Sequence, residues 1–174
     1  ADVMGRMTGK PGMCIATLGP GATNLATGVG SAYLDRTPMI AITCNLNTPQ
    51  LGRRIQMWID HHALFRPITK ATLAATKDNV AEIMAQALDI AMSEPMGPVH
   101  IDLPEDVSLA PAGDTTIPGA VSTKPVTARA VDADLEAASD LIAKAKRPIA
   151  ILGSSAMRMT DPSLLKAFVE HHGL

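Results

Sequence analysis

The sequence predicts an α/β protein, with a parallel sheet flanked by helices and followed by the start of a second α/β domain. Short apolar runs of strand length alternate with amphipathic stretches of helical length along the 174 residues. Glycine or proline bounds these apolar runs, which is typical of buried strands. Aromatic residues make up only 2% of the chain. Aliphatic side chains and methionine must therefore fill the core, as suits layered α/β packing.

The N-terminal part of the chain predicts a strand, a helix and a second strand. Residues 13–18 (MCIATL) form an apolar run between two turns rich in glycine and proline, which indicates a buried strand. Aliphatic residues recur at helical spacing within 22–34, so a helix follows. Residues 38–43 (PMIAIT) predict a second buried strand, joined to the first by a right-handed crossover. The polar stretch 44–54 predicts an exposed loop at the carboxyl end of that strand, where open α/β sheets bind ligands.

The middle of the chain predicts one more helix and one more strand. Asp78 is the expected N-cap of a helix that ends near Ser93, because apolar residues recur on one helical face between them. Residues 98–104 (PVHIDLP) predict a strand that ends at a proline. This strand completes the first predicted domain, which spans residues 1–104.

The C-terminal part of the chain predicts a linker and the beginning of a second domain. Residues 105–127 are rich in proline, glycine, alanine, serine and threonine without periodicity, which is typical of an extended linker. Residues 128–174 then predict the incomplete start of an α/β domain. The expected elements are a helix over 135–145, a strand over 148–152 and a helix over 162–172.

Composition and charge argue against several classes of protein. The formal net charge is −2 and no lysine or arginine cluster occurs, so neither nucleic acid nor a membrane surface is an expected partner. No apolar run reaches the roughly 18 residues that span a bilayer. Cys14 and Cys44 lie in apolar runs at a spacing that matches no zinc motif. Buried, reduced thiols in a cytoplasmic protein are the expected reading.

Residues 17–24 (TLGPGATN) form the most informative segment, a strand that enters a glycine-flanked turn and opens a helix. Glycine lets a ligand approach the backbone closely, and the free N–H groups at a helix start attract polar or anionic atoms. The spacing is neither that of a dinucleotide-binding fingerprint nor that of a phosphate loop. A tight structural connection without a ligand is the alternative interpretation.

The histidines do not predict a metal site. His61 and His62 are adjacent, so on a helix their side chains point about 100° apart, and no cysteine or third histidine is expected to accompany them. His100 lies between apolar neighbours and predicts a hydrogen-bonded histidine inside the sheet. Glu105 and Asp106 follow the strand and predict a solvated turn.

Three segments resemble one family in the correct order. Residues 5–12 (GRMTGKPG), continuing through the glycine-rich turn to 34–43 (LDRTPMIAIT), resemble the pyrimidine-binding domain of acetolactate synthase-type enzymes, which depend on thiamine diphosphate. Residues 97–107 (GPVHIDLPEDV) resemble the strand that closes that domain. Residues 147–153 (RPIAILG) resemble the first strand of the family's middle domain. The chain thus resembles the C-terminal part of the pyrimidine-binding domain plus the start of the middle domain.

The resemblance implies a carboligase or decarboxylase that acts on a 2-oxo acid such as pyruvate. Thiamine diphosphate and Mg²⁺ would lie between subunits of a homodimer or homotetramer, and the cofactor would serve as electron sink. The family's proton-relay glutamate is expected upstream of Ala1, so no catalytic residue is assigned in this chain. The motif that holds metal and diphosphate belongs to the cofactor domain, so the chain by itself is expected to be inactive and no metal ligand is assigned.

The resemblance also assigns site residues within the chain. The residues expected on the cofactor side are Gly19, Pro20, Gly21 and Asn24, and those expected on the substrate side are Thr17, Leu18 and Asn45. Asn45 stands where relatives often carry glutamine, although an ordinary polar loop residue is the alternative interpretation.

Residues 56–60 (QMWID) depart from the Phe-Gln-Glu that is common in acetolactate synthases. Other substrates therefore stay open, as in sulfoacetaldehyde acetyltransferase, glyoxylate carboligase or oxalyl-coenzyme A decarboxylase. A non-catalytic α/β binding or assembly module of the same architecture is the further alternative.

Overall fold

A computed structural model of the chain describes residues 1–111, 130–153, 155–156 and 159–174. The chain divides into two units, Ala1–Thr127 and Ala128–Leu174, and each is described by itself. None of the helices in the described ranges is long and apolar enough to cross a membrane.

A four-stranded parallel sheet organises the first unit. Its spatial order is β1-β2-β4-β3. The strands are β1 (Gly12–Ala16), β2 (Met39–Asn45), β3 (Ala71–Ala74) and β4 (Pro98–Pro104). The register pairs Thr43 of β2 with Asp102 of β4, so polar residues of two central strands meet near their carboxyl ends. The predicted α/β class with a parallel sheet flanked by helices is confirmed.

Helices cover both faces of this sheet. Those of the first unit are α1 (Asp2–Thr8), α2 (Pro20–Leu34), α3 (His61–Phe65), α4 (Val80–Met92) and α5 (Glu105–Ser108). Side chains alternate between the faces of a strand, so Ile40 packs in the cluster that contains α4 while Met39 and Ala41 pack in the cluster that contains α2. Two apolar layers therefore hold the sheet between α2 and α4.

The first strand differs from its prediction in length and burial. β1 covers Gly12–Ala16 rather than 13–18 and pairs only with β2 among the described strands. Met13 is 58% exposed and Ile15 is 63% exposed. The prediction of a buried strand is therefore wrong, because this strand lies at the edge of the sheet. The following helix begins at Pro20, two residues earlier than predicted.

The structure corrects the prediction around the third and fourth strands. The helix after residue 78 begins at Val80, and Asn79 rather than Asp78 occupies the N-cap position. The strand β3 was missed by the sequence reasoning. The predicted linker begins with the short helix α5, and residues 112–127 of that linker lie outside the described ranges.

The second unit contains α6 (Asp132–Lys144) and α7 (Pro162–His172), as predicted. The strand predicted over 148–152 is absent from the described residues, and Ile149 and Ile151 are 84% and 91% exposed. The physical reason is that a strand needs a hydrogen-bonding neighbour, and the described part of this unit contains none.

Candidate cofactor and substrate site

The candidate residues lie at the carboxyl edge of the sheet, where Asn45 lines an open cleft and residues 17–24 are not part of its lining. Here β1 runs into a bend, defined as residues 17–21, that opens α2, and β2 and β4 end beside it. An open cleft of about 340 Å³ lies at the ends of β2, β3 and β4. Its lining includes Asn45, Trp58, His61, His62, Asp102 and Pro104.

The bend is held by hydrogen bonds of its own backbone. Gly19 is the N-cap of α2 and has a φ of 58°, in the region that favours glycine. The Gly21 N–H donates to the Leu18 carbonyl over 3.3 Å, and the Thr23 N–H donates to the Gly19 carbonyl over 3.1 Å. The sequence therefore folds locally as a strand, a tight turn and a helix start, as predicted.

Two glycines of the bend accommodate the chain's own atoms. A Cβ on Gly19 would lie 2.5 Å from the Met57 carbonyl oxygen, and a Cβ on Gly21 would lie 2.6 Å from Thr17 Cγ2. Gly19 is buried, whereas Pro20 is exposed. The small size of these glycines thus admits Met57 and Thr17, and the side chains open to a ligand belong to the residues around them.

Pro20 and Asn24 are the exposed cofactor-side candidates. They lie four residues apart at the start of α2, so their side chains share one face of that helix. Thr17 is exposed and Leu18 half-buried on the strand side of the bend. The structure thus brings the residues of the bend together.

Asn45 is not a loop residue. It is the last residue of β2, is 4% exposed, and lines the cleft. Its Nδ2 donates to both Asp102 carboxylate oxygens, over 3.0 and 2.9 Å, and its Oδ1 accepts from the Leu46 N–H over 2.8 Å. The expectation of an exposed loop beginning at residue 44 is wrong here, because the strand extends two residues further than predicted.

Asp102 is the centre of a buried polar cluster. It accepts hydrogen bonds from Asn45, from the Thr43 hydroxyl and from His61 Nδ1. Burial by itself would raise the pKa of this carboxyl group, but the hydrogen bonds from His61 and Asn45 outweigh burial and leave the pKa lowered. Asp102 is therefore a charged carboxylate at neutral pH beneath the cleft.

His100 is fully buried beside this carboxylate. Its ring stacks on Phe65 at a centroid distance of 4.3 Å, and its Nε2 lies 2.8 Å from the Thr43 hydroxyl. Its Nδ1 is buried without a hydrogen-bond partner among the described residues. The predicted burial is confirmed, whereas the predicted hydrogen bonding holds for one ring nitrogen. Burial lowers the pKa of His100 to about 3 against the favourable charge of Asp102.

His61 is buried and connects the cluster with the bend. Its Nε2 accepts a hydrogen bond from the Gly19 N–H over 3.4 Å. Its Nδ1 lies 2.9 Å from the Thr43 hydroxyl and 3.2 Å from Asp102 Oδ1. The expectation that no third histidine accompanies His61 and His62 is wrong, since the His100 ring centroid lies 6.5 Å from that of His61 and 5.8 Å from that of His62.

This cluster does not match a magnesium site. One potential ligand atom each from His61, His100 and Asp102 lies within 4.8 Å of the others. The Thr43 hydroxyl already lies within hydrogen-bonding distance of all three residues. Mg²⁺ prefers oxygen ligands in octahedral geometry, which two imidazoles do not offer. Hydrogen bonding through Thr43 accounts for this arrangement.

The turn after β4 holds the loop that follows β2. Asp106 accepts hydrogen bonds from the Thr48 N–H over 2.9 Å and from its hydroxyl over 3.1 Å. These hydrogen bonds lower the pKa of Asp106, and the bond from the Thr48 backbone N–H has the largest effect. Asp106 is exposed, as predicted, and it also joins the loop to α5.

The sequence reasoning missed Thr43, His61 and Asp102 as a group. One signal was available for two of them, because Thr43 and Asp102 stand near the carboxyl ends of predicted parallel strands, which meet at one edge of a sheet. No local sequence pattern links His61 to these two residues, because His61 lies 18 residues after Thr43 and 41 residues before Asp102.

Comparison with known proteins shows which proteins the chain is similar to. A family model described as the N-terminal TPP binding domain of thiamine pyrophosphate enzymes matches residues 1–64, which include α1, β1, the bend and β2. Residues 1–64 therefore match the N-terminal domain of the thiamine pyrophosphate enzymes. About nine tenths of the chain is similar to large subunits of acetolactate synthase.

Three relatives illustrate the similarity. The chain is 39% identical over 166 residues to the acetolactate synthase isozyme 2 large subunit of Escherichia coli. The aligned region covers 91% of the chain and 29% of that relative. It is 39% identical over 162 residues to a probable acetolactate synthase large subunit of Methanococcus aeolicus, covering 90% and 27%. It is 35% identical over 161 residues to a probable 2-ketoarginine decarboxylase of Pseudomonas aeruginosa, covering 90% and 29%. The chain spans less than a third of the length of each.

Proposed function

We propose that this chain is part of a thiamine-diphosphate-dependent carboligase or decarboxylase whose substrate is a 2-oxo acid such as pyruvate. One observation carries the proposal: about nine tenths of the chain is similar to acetolactate synthase large subunits. The family model that names the cofactor covers the bend. In the intact protein, the proposal includes Mg²⁺, a homodimer or homotetramer, and a cytoplasmic location.

We place the pyrimidine end of this cofactor at the bend. Pro20 offers an exposed apolar ring, and Asn24 offers an amide on the same face of α2. A flat, polar-edged heteroaromatic ring can pack on the first and hydrogen-bond to the second. When bound, thiamine diphosphate supplies a nucleophilic carbon and an electron sink for decarboxylation. Within the described ranges no group of side chains suits Mg²⁺, so we assign the metal and diphosphate contacts to other parts of the intact protein.

The residues of this chain would orient ligands and exclude water. Gly19 and Gly21 keep the bend in one shape by admitting Met57 and Thr17. Thr17 and Leu18 would face the reacting end of the ligand. The Asn45 Oδ1 already accepts a hydrogen bond from Leu46, and its Nδ2 already donates to Asp102. Its role would be a fixed polar wall of the cleft rather than a mobile substrate contact.

The intact protein provides the test. The gene's full reading frame is expressed, and binding of thiamine diphosphate in the presence of Mg²⁺ is measured by calorimetry, together with consumption of pyruvate. An Asn24→Ala variant should weaken cofactor binding by about tenfold, the effect of losing one hydrogen bond. The matched control Ser31→Ala changes an exposed residue near the other end of α2 and should leave affinity unchanged. Absence of cofactor binding in the intact wild type would reject the class.

One observation favours a second candidate, a non-catalytic module of the same architecture. The contacts of Gly19 and Gly21 with the chain's own atoms explain both glycines without a ligand. This candidate predicts no affinity for thiamine diphosphate in the intact protein and no effect of Asn24→Ala. Binding without pyruvate consumption would instead keep the cofactor class and direct the search to another 2-oxo acid.

A further inference from the structure

The bend has a polar contact with a side chain that is distant in sequence. The Gly19 N–H donates to His61 Nε2 over 3.4 Å in a buried environment, and 42 residues separate the two. A buried N–H without an acceptor is strongly destabilising. His61 therefore satisfies the buried backbone amide of Gly19.

The protonation of His61 follows from this contact. Because Nε2 accepts from Gly19, the proton of a neutral ring resides on Nδ1. Nδ1 lies 3.2 Å from Asp102 Oδ1 and 2.9 Å from the Thr43 hydroxyl, which are suitable acceptors. The Asp102 carboxylate thus selects the tautomer in which Nε2 is free to receive the Gly19 N–H.

The same carboxylate holds Asn45. Asn45 Nδ2 donates to both Asp102 oxygens, so a continuous chain of hydrogen bonds runs from Gly19 through His61 and Asp102 to Asn45. These hydrogen bonds join the bend, the helix α3, and the ends of β4 and β2. The two sides of the proposed site are therefore connected by buried side chains.

We infer that His61 is a positioning residue, which fixes the bend for a cofactor ring and, through Asp102, holds the bend and Asn45 in one arrangement. The identity of the ligand rests on the proposed function, whereas the link between His61 and Gly19 does not. His61 acts through the Gly19 peptide, and we assign it no contact with substrate or cofactor.

Side chains of different length and hydrogen-bonding capacity at position 61 distinguish a positioning role from a role that only fills space in the core. In His61→Gln, the side-chain oxygen can reach the position of Nε2 and accept from Gly19. In His61→Asn, the oxygen is one bond shorter and falls short of it. His61→Phe keeps the volume of the ring but offers no acceptor. A residue that only fills the core would be best replaced by phenylalanine, whereas a positioning residue is best replaced by glutamine.

The experiment uses the full-length protein and two measurements. Hydrogen exchange at the Gly19 amide, followed without cofactor by mass spectrometry at single-residue resolution, should become about tenfold faster in His61→Asn and His61→Phe. The dissociation constant for thiamine diphosphate should rise by about five- to tenfold in both variants, and His61→Gln should recover most of each effect. The matched control His62→Phe removes the adjacent histidine, which bonds to Thr72 and lies 3.6 Å from Asp102 Oδ2 but makes no hydrogen bond to Gly19, so Gly19 exchange should stay near the wild-type rate.

The outcomes distinguish the two proposals. Equal Gly19 exchange in the wild type, His61→Gln and His61→Asn would overturn the positioning role, whether or not the protein binds the cofactor. A wild-type protein that does not bind thiamine diphosphate, yet shows the expected exchange pattern, would reject the proposed function and keep the link between His61 and the bend.

Discussion

Mild acid should destabilise the first unit through one buried histidine. His100 has a pKa of about 3 in the folded chain, chiefly because burial disfavours its charged form. The unfolded chain restores the ordinary value of about 6.5. Between these two values the unfolded state binds a proton that the folded state does not, so stability falls as the pH falls. Above pH 7 this contribution is constant.

The magnitude at pH 5 depends little on the folded pKa. At that pH the unfolded histidine is almost fully protonated, while the folded one is almost fully neutral. Linkage then gives a loss of about 2 kcal/mol in unfolding free energy relative to pH 7.5. Asp102 adds little at pH 5, because its lowered pKa lies below the ordinary value of 3.8. The choice of pH 5 therefore isolates the histidine from the carboxylate that it faces.

Urea unfolding of the chain at pH 7.5 and pH 5 measures this loss. Trp58 is the one tryptophan in the sequence and lines the cleft, so its fluorescence reports on the unit that contains His100. The control His100→Gln keeps an amide to bond the Thr43 hydroxyl but cannot take up a proton. It should lose about 2 kcal/mol less than the wild type over the same interval. The difference between the wild type and this variant isolates the contribution of His100.

Two results would contradict the reasoning about His100. One is an equal loss of stability in the wild type and in His100→Gln. The other is an NMR titration in which the His100 ring carbon changes shift with a midpoint near pH 6.5. Either result would mean that water or a partner reaches the buried ring, whose Nδ1 has no hydrogen-bond partner among the described residues.

The bend gives two further predictions, both measured as changes in urea unfolding free energy. Gly19→Ala should lower the unfolding free energy by about 2–3 kcal/mol, because the alanine would have a positive φ and its Cβ would lie 2.5 Å from the Met57 carbonyl oxygen. The control Gly28→Ala adds a Cβ in open space on α2 and should raise the unfolding free energy by about 0.5–1 kcal/mol. Gly21→Ala should cost about 1–2 kcal/mol through Thr17 Cγ2, and adding Thr17→Ser, which removes that methyl group, should recover at least half. An equal cost with and without Thr17→Ser would show that this contact is not the cause.

The sequence pattern predicted the elements whose own residues determine their structure. It failed for elements that depend on pairing with a neighbouring strand. The runs 38–43 and 98–104 became the central strands β2 and β4, because both faces of each are covered by helices. The run 148–152 is equally apolar but has no strand beside it in the described residues. β3 shows the converse, since its four half-buried or exposed residues are extended through pairing with β4.

The same distinction applies to the candidate site. The bend was predictable because glycine and proline determine backbone geometry within a few residues. The cluster of Thr43, His61 and Asp102 was not, because its bonds join positions 18 to 59 residues apart. Asn45 was misjudged for a related reason: only pairing with Pro104 shows that the strand still continues at that position.

Residues 56–60, which depart from the pattern of acetolactate synthases, contact two parts of the structure, the bend and the cleft. Met57 shapes the bend mainly through its backbone carbonyl, which lies closest to the position of a Gly19 Cβ. Any residue that tolerates the positive φ of 67° at position 57 can supply that carbonyl, so the departure need not alter the bend. Trp58, Ile59 and Asp60 differ in this respect, because all three line the cleft. Under the proposed function, we therefore expect a difference in substrate to arise at these three cleft-lining residues rather than at the bend.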